Sequence, residues 1–513
     1  MKNFTCNFKF LCFSIAILLL AFSQEVNAQV AQKTFKVNGR TIKIKDFNEQ
    51  IERIIDSAST PGLSLAIIDQ NKVVFYNTYG YKEIKKSADG KIQGNGKIDK
   101  GTLFEACSLS KSFFLFAVER LVDKGVLNLD TPLYHYLKYP KLDYDERYKK
   151  ITGRMVLSHS SGMENWENQN NPDKLEIISE PGEKFNYSGE GYVYLSKVVE
   201  KLLGKSTESY MNELVIEPLK LKQTFITFPK NGVAATNYAL GHNFFMEPAS
   251  KNKNESPNIA ALINTTANDY AQLFISFFNN KFLSKERVDD ITGVDTTKHY
   301  PVMDEHYYWG PGFAVNNEAG DTLLFQGGDN RGFKGWSFYS RKRKSGYVMF
   351  TNGDSGYRIV QVVNALTTAH HHIYDFSDQY PNPMIEVLHR YNKQGYIAAL
   401  NYFKTIASRK DSFTSKDDFD EWGYIFMDKG PELSAAIAEV YESRYPVSQD
   451  GFVLHGNAMM KLQRFKEAIS DFKTATKLDK NSQGQFENLI AQCNEQIKKN
   501  SEEKSVQNLS KKQ

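Results

Sequence analysis

The sequence predicts an α/β (α+β) domain built on one antiparallel sheet, followed by an all-α domain. Three observations carry this reading. Runs rich in β-branched and aromatic residues occur near residue 62 and again near residue 333, with amphipathic helical stretches between them, so strands from distant parts of the chain must meet in one sheet. Strand signals stop at SDQYPNP, residues 377–383, and the chain beyond reads as helix. The 513 residues, 41% hydrophobic and 24% charged, are enough for two or three domains, each burying its own core. A formal charge of +4, with no long basic block, gives no reason to expect a nucleic-acid partner.

Taken in order, the chain opens with Lys2 and Lys9, an apolar run from Phe10 to Phe22, and Val26-Asn27-Ala28. This is the pattern of an export signal, expected to span residues 1–28 and to be cleaved after Ala28. The apolar run is too short for a bilayer helix, which needs about 20 residues, so no stable membrane anchor is expected and the protein is placed in the periplasm or outside the cell. Neither Cys6 nor Cys12 sits at a small-residue cleavage site, so no lipoprotein signal is seen. Cleavage would leave only Cys107 and Cys493, which argues against a disulfide framework.

The first domain is placed at 44–375. An amphipathic helix is expected around Phe47–Ala58, then two strands in PGLSLAIIDQNKVVFYNTYGY joined by a turn at Asp69–Lys72. A strong helix runs from about Ser108 to Lys124, with Gly125 in the stop position. Further helices are expected at 191–204 and 206–216, and a second strand pair in GFKGWSFYS and GYVMFTN, joined by the basic turn Arg341–Ser345. His370-His371-His372 lacks partners at a zinc-like spacing, so no metal or other cofactor is expected.

A linker at 376–384 leads to a helical domain at 385–498 and a polar tail, 499–513, expected to be disordered. Within the helical domain Gly395, Ala399 and Phe403, then Gly423, Ala436 and Tyr441, then Gly456, Ala468 and Phe472 recur with alanine offsets of 37 and 32 residues. The pattern resembles degenerate tetratricopeptide repeats, whose period is about 34, and is clearest from Leu454 to Leu478. Such arrays present a concave surface, so this region is expected either to hold a protein or peptide partner or to brace the first domain.

No G-x-S-x-G nucleophile elbow occurs in the chain. In FEACSLSKSFF, however, Ser108 and Lys111 are three residues apart at the start of a helix, so both side chains project on one face, with the positive end of the helix dipole beneath the hydroxyl. A serine nucleophile needs an adjacent base, and a lysine serves when burial lowers its pKa. The same spacing recurs at Ser250–Lys253, Ser470–Lys473 and Ser501–Lys504, but these lie in a polar loop, a repeat helix and the tail, where solvated surface is the plain reading. Cys107, beside the nucleophile, is read as a packed small residue.

Six ordered segments, PGLSLAIIDQNKVVFYNTYGY, FEACSLSKSFF, ITGRMVLSHSSGMENW, PGEKFNYSGEGY, EPLKLKQT and FQGGDNRGFKGWSFYSRKRKSGYVMFTN, together resemble the serine beta-lactamase and penicillin-binding-protein superfamily. The likeness covers about 60–375 and is to the branch containing class C beta-lactamases, D-Ala-D-Ala carboxypeptidases and related esterases. It implies a sheet domain and a helical subdomain with the active site between them. It also implies Ser108 as nucleophile, with Lys111 and Tyr187 as its proton-transfer partners. Tyr187-Ser188-Gly189 stands for the family's Y-x-N motif, whereas Tyr210-Met211-Asn212 and Tyr380-Pro381-Asn382 match literally in the wrong context. Gly189 removes the amide that family members use near the substrate.

The third motif, K-T-G or H-x-G in the family, is placed on Gln326-Gly327-Gly328 rather than on Lys344-Ser345-Gly346, which occupies a turn. The resemblance makes Gln326, Gly327, Gly328 and Asp329 substrate-binding, with an oxyanion hole at the N–H groups of Ser108 and Asp329. A neutral Gln326 weakens recognition of a carboxylate unless Arg331 or Lys334 replaces the missing cation. The expected activity is that of an exported serine hydrolase acting through an acyl-enzyme on a small-molecule or peptide substrate. An ester, amide or D-Ala-D-Ala-type peptide is favoured over efficient beta-lactam hydrolysis. The alternative is a catalytically degraded relative that binds a partner, and a scaffold built only from the repeats leaves the ordered motifs unexplained.

Overall fold

The computed structural model describes residues 33–510 apart from 87–90, 280, 293–299, 302–306, 319, 368–381, 410–412, 414 and 480–482. The segment read as an export signal, His370–His372 and most of the 376–384 linker lie outside the described residues. Strands β1 (Thr34–Val37) and β2 (Arg40–Lys43) form a hairpin ahead of the main sheet, and β6 (Phe104–Glu105) and β7 (Asn264–Thr265) pair separately. The main sheet comprises β3 (Gly62–Asp69), β4 (Lys72–Lys86), β5 (Ile92–Lys97), β8 (Tyr300–Pro301), β9 (Tyr307–Trp309), β10 (Ala314–Glu318), β11 (Asp321–Asn330), β12 (Phe333–Ser340) and β13 (Ser345–Thr351). Its order is β5-β4-β3-β13-β12-β11-β10-β9-β8, antiparallel throughout.

The join between β3 and β13, with Leu63 opposite Thr351 and Ile68 opposite Gly346, is where the two ends of the domain meet. The β3–β4 hairpin closes on Gln70 and Asn71, both in the left-handed region at φ 48 and 58, the geometry of a two-residue turn whose twist matches that of its strands.

Helices are α1 (Ile44–Ser57), α2 (Ser110–Asp123), α3 (Gly153–Leu157), α4 (Gly189–Leu203), α5 (Thr207–Met211), α6 (Ala267–Phe278), α7 (Lys285–Thr292) and α8 (Val360–Thr367). The period of two along the central strands divides them between two cores. Ala66, Ile68, Val348 and Phe350 face α2 and α6, while Leu63, Leu65, Ile67, Tyr347 and Met349 face α1 and α8. Beyond α5 the expected 206–216 helix passes into a π-turn at Asn212–Ile216.

After the linker come α9 (Pro383–Gln394), α10 (Tyr396–Ile406), α11 (Lys416–Phe426), α12 (Pro431–Arg444), α13 (Gln449–Lys461), α14 (Phe465–Leu478) and α15 (Gln483–Ser510). Gly423 and Gly456 allow close helix approach, since a Cβ would lie 2.4 Å from Leu454 and 2.8 Å from Phe472 respectively. Gly395 instead forms the turn between α9 and α10 at φ 88, and the buried alanines of α12 are Ala435 and Ala438 rather than the half-buried Ala436. The tail expected to be disordered is helical to Ser510, because its Glu, Gln and Lys residues are good helix formers without a Pro or Gly to stop them.

This helical region packs on the outer face of the sheet domain as one continuous core. Phe245 meets Tyr391 at 4.8 Å, Lys429 pairs with Glu247 at 2.7 Å, and the Arg358 guanidinium is buried between Phe244 and Trp422 at 4.6 and 4.4 Å.

Candidate active site

Ser108 occupies a single 3-10 turn, Cys107–Leu109, that feeds directly into α2. Cys107 is held at φ 51, a conformation that costs a residue with a Cβ about 1–3 kcal/mol and persists only where packing over-determines it. That packing comes from β11. A Cβ on Gly328 would lie 2.9 Å from Cys107 Cβ and Leu109 Cδ1 and 3.0 Å from the Ser108 nitrogen, so only glycine lets the strand approach the turn. The Cys107 thiol is fully buried, its pKa pushed up by burial, and it contacts the Phe333 carbonyl at 3.6 Å, as befits a packed residue. Cys107 and Cys493 are both free.

One turn along α2, the buried Lys111 directs its Nζ to within 3.5 Å of Ser108 Oγ and donates to the Ala260 carbonyl at 2.8 Å. The segment that presents this carbonyl is clamped from both sides. Ala260 N–H donates to Asn258 Oδ1, and Ile263 N–H donates to Ser110 Oγ at 3.1 Å. Beneath it the buried Lys251–Glu105 pair, at 3.1 Å, is shared with Asn264 and Asn330. The Ala260 carbonyl, itself held in place, thus fixes the distance of Lys111 from Ser108.

Tyr187 precedes the N-terminus of α4, and the Lys111 ammonium lies 4.8 Å from its ring centroid. Its placement depends on a residue that the sequence reading passed over. His159 stacks on the phenol at 3.9 Å, accepts the Ser188 N–H on Nδ1 at 3.1 Å, and accepts the Asn186 N–H on its own carbonyl. Burial, reinforced by the Lys111 charge, drives the imidazole pKa well below its usual value, so His159 is neutral. With Nδ1 accepting, its proton sits on the buried Nε2, which has no partner among the described residues. The available signal was local: His159 at φ 53 and Gly162 at φ 74 mark a tight turn inside LSHSSG. Tyr210, one of the literal motif matches, is buried in α5 away from this arrangement, and Tyr380 lies outside the described residues.

The strand-borne wall departs from expectation. The side chain of Gln326 does not face substrate. It is buried, donates from Nε2 to the Ser108 carbonyl at 3.1 Å and accepts from Ser112 Oγ at 3.2 Å, with Tyr270 Oη donating to Ser112 in turn. The period of two that points Gly328 at the Ser108 turn points Gln326 there as well, so the Gln326 side chain is spent on fixing that turn. Gly327 faces the other way, where a Cβ would lie 3.1 Å from Trp336 and 3.2 Å from Tyr357 Oη.

Asp329 is exposed and pairs with Lys334 at 2.8 Å, and Lys334 also pairs with Asp354 at 2.7 Å. Burial acts to lower the Lys334 pKa, but the two carboxylates outweigh it and hold the ammonium above its usual value. Lys334 is thus not a replacement cation for a substrate carboxylate: its charge is matched twice over. Pairing of β10 with β11 ends at Phe325, and from Gln326 onward β11 pairs with β12 alone. Among the described residues no group of three or more His, Cys, Asp or Glu side chains is arranged to hold a metal ion.

The Beta-lactamase family model matches residues 47–370, more than half of the chain. The chain belongs to the beta-lactamase family. Within it, this beta-lactamase-family protein is 26% identical over 216 residues to protein flp of Staphylococcus aureus (strain MW2), covering 38% of this chain and 41% of flp. It is 27% identical over 236 residues to an N-acetylmuramyl-L-alanine amidase of Bacillus subtilis (strain 168), covering 42% of this chain and 52% of the amidase. The chain therefore spans about half or less of these curated relatives. The octameric penicillin-binding protein homologue from Pyrococcus abyssi shares its fold, with a TM-score of 0.52 at 20% identity over 63% of this chain and 77% of that one.

Proposed function

We propose that this protein is an exported serine hydrolase that cleaves an ester, amide or peptide bond through an acyl-enzyme. The observation that carries the proposal is Lys111 Nζ, 3.5 Å from Ser108 Oγ and held there by the Ala260 carbonyl. Ser108 Oγ adds to the substrate carbonyl while its proton passes to the Lys111–Tyr187 pair, and the oxyanion accepts from the Ser108 and Asp329 N–H groups. As the tetrahedral intermediate collapses, the bond to the leaving group breaks and that group takes a proton through Lys111 and Tyr187. Water then adds to the acyl-enzyme, gives its proton to the same pair and releases the acid with Ser108 restored.

The strand-borne wall supports esters and neutral amides ahead of beta-lactams. Gln326 is committed to Ser108, and Lys334, Asp329 and Asp354 together carry one net negative charge where a carboxylate-reading cation would be needed. Export rests on the basic, apolar, small-residue pattern of residues 1–28. Among the described residues no helix is long and apolar enough to cross a membrane. The test is intact-mass spectrometry of wild type and Ser108→Ala after exposure to p-nitrophenyl acetate and to a penicillin, with p-nitrophenol release followed alongside. Ser108-dependent ester turnover without a lasting penicillin adduct is the expected result. Folded wild type that neither turns over the ester nor acquires mass from either reagent would overturn the reading.

A further inference from the structure

Trp166 is the one tryptophan of the chain with substantial exposure, 42%, whereas Trp309, Trp336 and Trp422 are buried. Its indole lies on the first residue of α4. A Cβ on Gly189 would fall 2.5 to 2.9 Å from three atoms of the six-membered ring, so the glycine is the seat on which the ring rests. The ring centroid is 5.8 Å from Lys111 Nζ, and Tyr187 is two residues from Gly189.

An exposed indole on a mobile loop would carry little meaning, but this loop is pinned. Gly189 N–H donates to both the carbonyl and Oδ1 of Asn165 at 3.0 Å, Glu190 N–H donates to the Asn165 carbonyl, and Ser188 Oγ donates to the Glu164 carbonyl at 2.8 Å. Glu167 N–H reaches Glu190 Oε1, and the Glu167 carboxylate pairs with Lys141. The residues on both sides of Trp166 are thus tied to the start of α4 or to Lys141. A flat apolar face is therefore presented, pre-ordered, next to the Ser108–Lys111 pair. Pre-ordering removes the entropy that recognition would otherwise cost.

We propose that Trp166, seated on Gly189, is the specificity-determining residue of this site and selects an acyl group that carries a planar aromatic ring. This rests on the hydrolase reading above. An aromatic acyl group gains the stacking and the desolvation of the exposed indole face, and a short aliphatic one does not.

The test compares p-nitrophenyl phenylacetate with p-nitrophenyl acetate, which share a leaving group, on wild type, Trp166→Ala, Trp166→Phe and Gly189→Ala. The phenylacetyl-to-acetyl ratio of kcat/KM should fall about tenfold in Trp166→Ala. It should be largely kept in Trp166→Phe, and fall again in Gly189→Ala, where the added methyl group unseats an unchanged ring. A ratio unmoved in Trp166→Ala would overturn the proposal. A second arm needs no turnover. In Ser108→Ala, acrylamide quenching of tryptophan fluorescence should be relieved by phenylacetamide but not by acetamide, and the relief should vanish when Trp166→Phe is added. Equal effects of the two amides overturn the proposal even if the esters are hydrolysed. Relief by phenylacetamide in a protein with no Ser108-dependent turnover would instead overturn the hydrolase reading and leave the aromatic site standing.

Discussion

The two walls of the cleft carry different kinds of information. On the helix-borne wall Ser108, Lys111 and Tyr187 stand together, backed by the Ala260 carbonyl and the neutral His159 ring. On the strand-borne wall Gln326 is turned inward, Lys334 is neutralised, and glycines bring the strand close without offering a side chain. The chemistry of bond cleavage tolerates little change in geometry, whereas recognition can be rebuilt from other groups. The contrast teaches that the groups proposed to react stand together in this chain, while those expected to read substrate are turned inward or neutralised.

The comparison breaks most decisively at Ser108. Ser108→Ala and Lys111→Ala should each lower kcat/KM for p-nitrophenyl acetate by at least about a thousandfold, and the double variant should lose little more, because the two act as a unit. Additive losses in stopped assays would show that they do not.

The next largest effect is expected at His159, which acts on Tyr187 rather than on substrate. His159→Ala should reduce kcat by up to about a hundredfold while changing KM little, as a displaced proton-transfer group does. His159→Gln, which retains an acceptor for the Ser188 N–H, should recover part of the loss. Because His159 is already neutral, the pH profile of kcat/KM should have the same acid limb in wild type and His159→Gln. An acid limb removed by His159→Gln would place a titrating imidazole in the mechanism.

Gln326→Leu sharpens the contrast from the other wall. It leaves the buried Ser108 carbonyl and Ser112 hydroxyl without their partner, and a buried unsatisfied group costs about 1–3 kcal/mol. Denaturant melts should show this loss. A residue that merely read substrate would change KM and leave stability alone.

The smallest effect is confined to pH. Glu119, on α2 two turns beyond Lys111, is fully buried. Burial raises its carboxyl pKa to about 8 despite Arg287 at 3.7 Å. The unfolded chain releases this proton near 4.5, so the stability gained from the protonated folded form is complete below that pH and is lost as pH climbs towards about 8. Glu119→Gln should therefore raise Tm more at pH 9 than at pH 5, by at most a few kcal/mol of stability. Parallel Tm curves for the two proteins across that range would refute it.

Much of this molecule could be read from its residues, but only where the governing physics is local. The β3–β4 hairpin and the Ser108–Lys111 spacing follow from periodicity and immediate context, whereas the placing of Tyr187 over its literal rivals rests on the family resemblance. The β1–β2 hairpin was also legible in principle, since Asn38-Gly39 is a strong two-residue turn signal and both residues take positive φ. What the pattern could not show is what lies opposite a given side chain. Gln326 sits on a strand as expected, yet its direction has meaning only once the Ser108 carbonyl is known to lie beneath it. Gly189 reads as a lost amide until Trp166, 23 residues earlier, is seen to fill the space.

The sandwich of Arg358 between Phe244 and Trp422 has a practical meaning for anyone preparing this protein. The linker looks like a natural place to trim the chain into a smaller catalytic fragment. A fragment ending there would lose Trp422 and Glu421 from around the buried guanidinium and bare the Phe244 and Phe245 surface to water. The neighbouring Tyr357 leans on Gly327 in the cleft, so the damage would not stay at the cut edge. Such a fragment should express poorly and clump, and the boundary suited to purification or crystallisation is the far end of the helices.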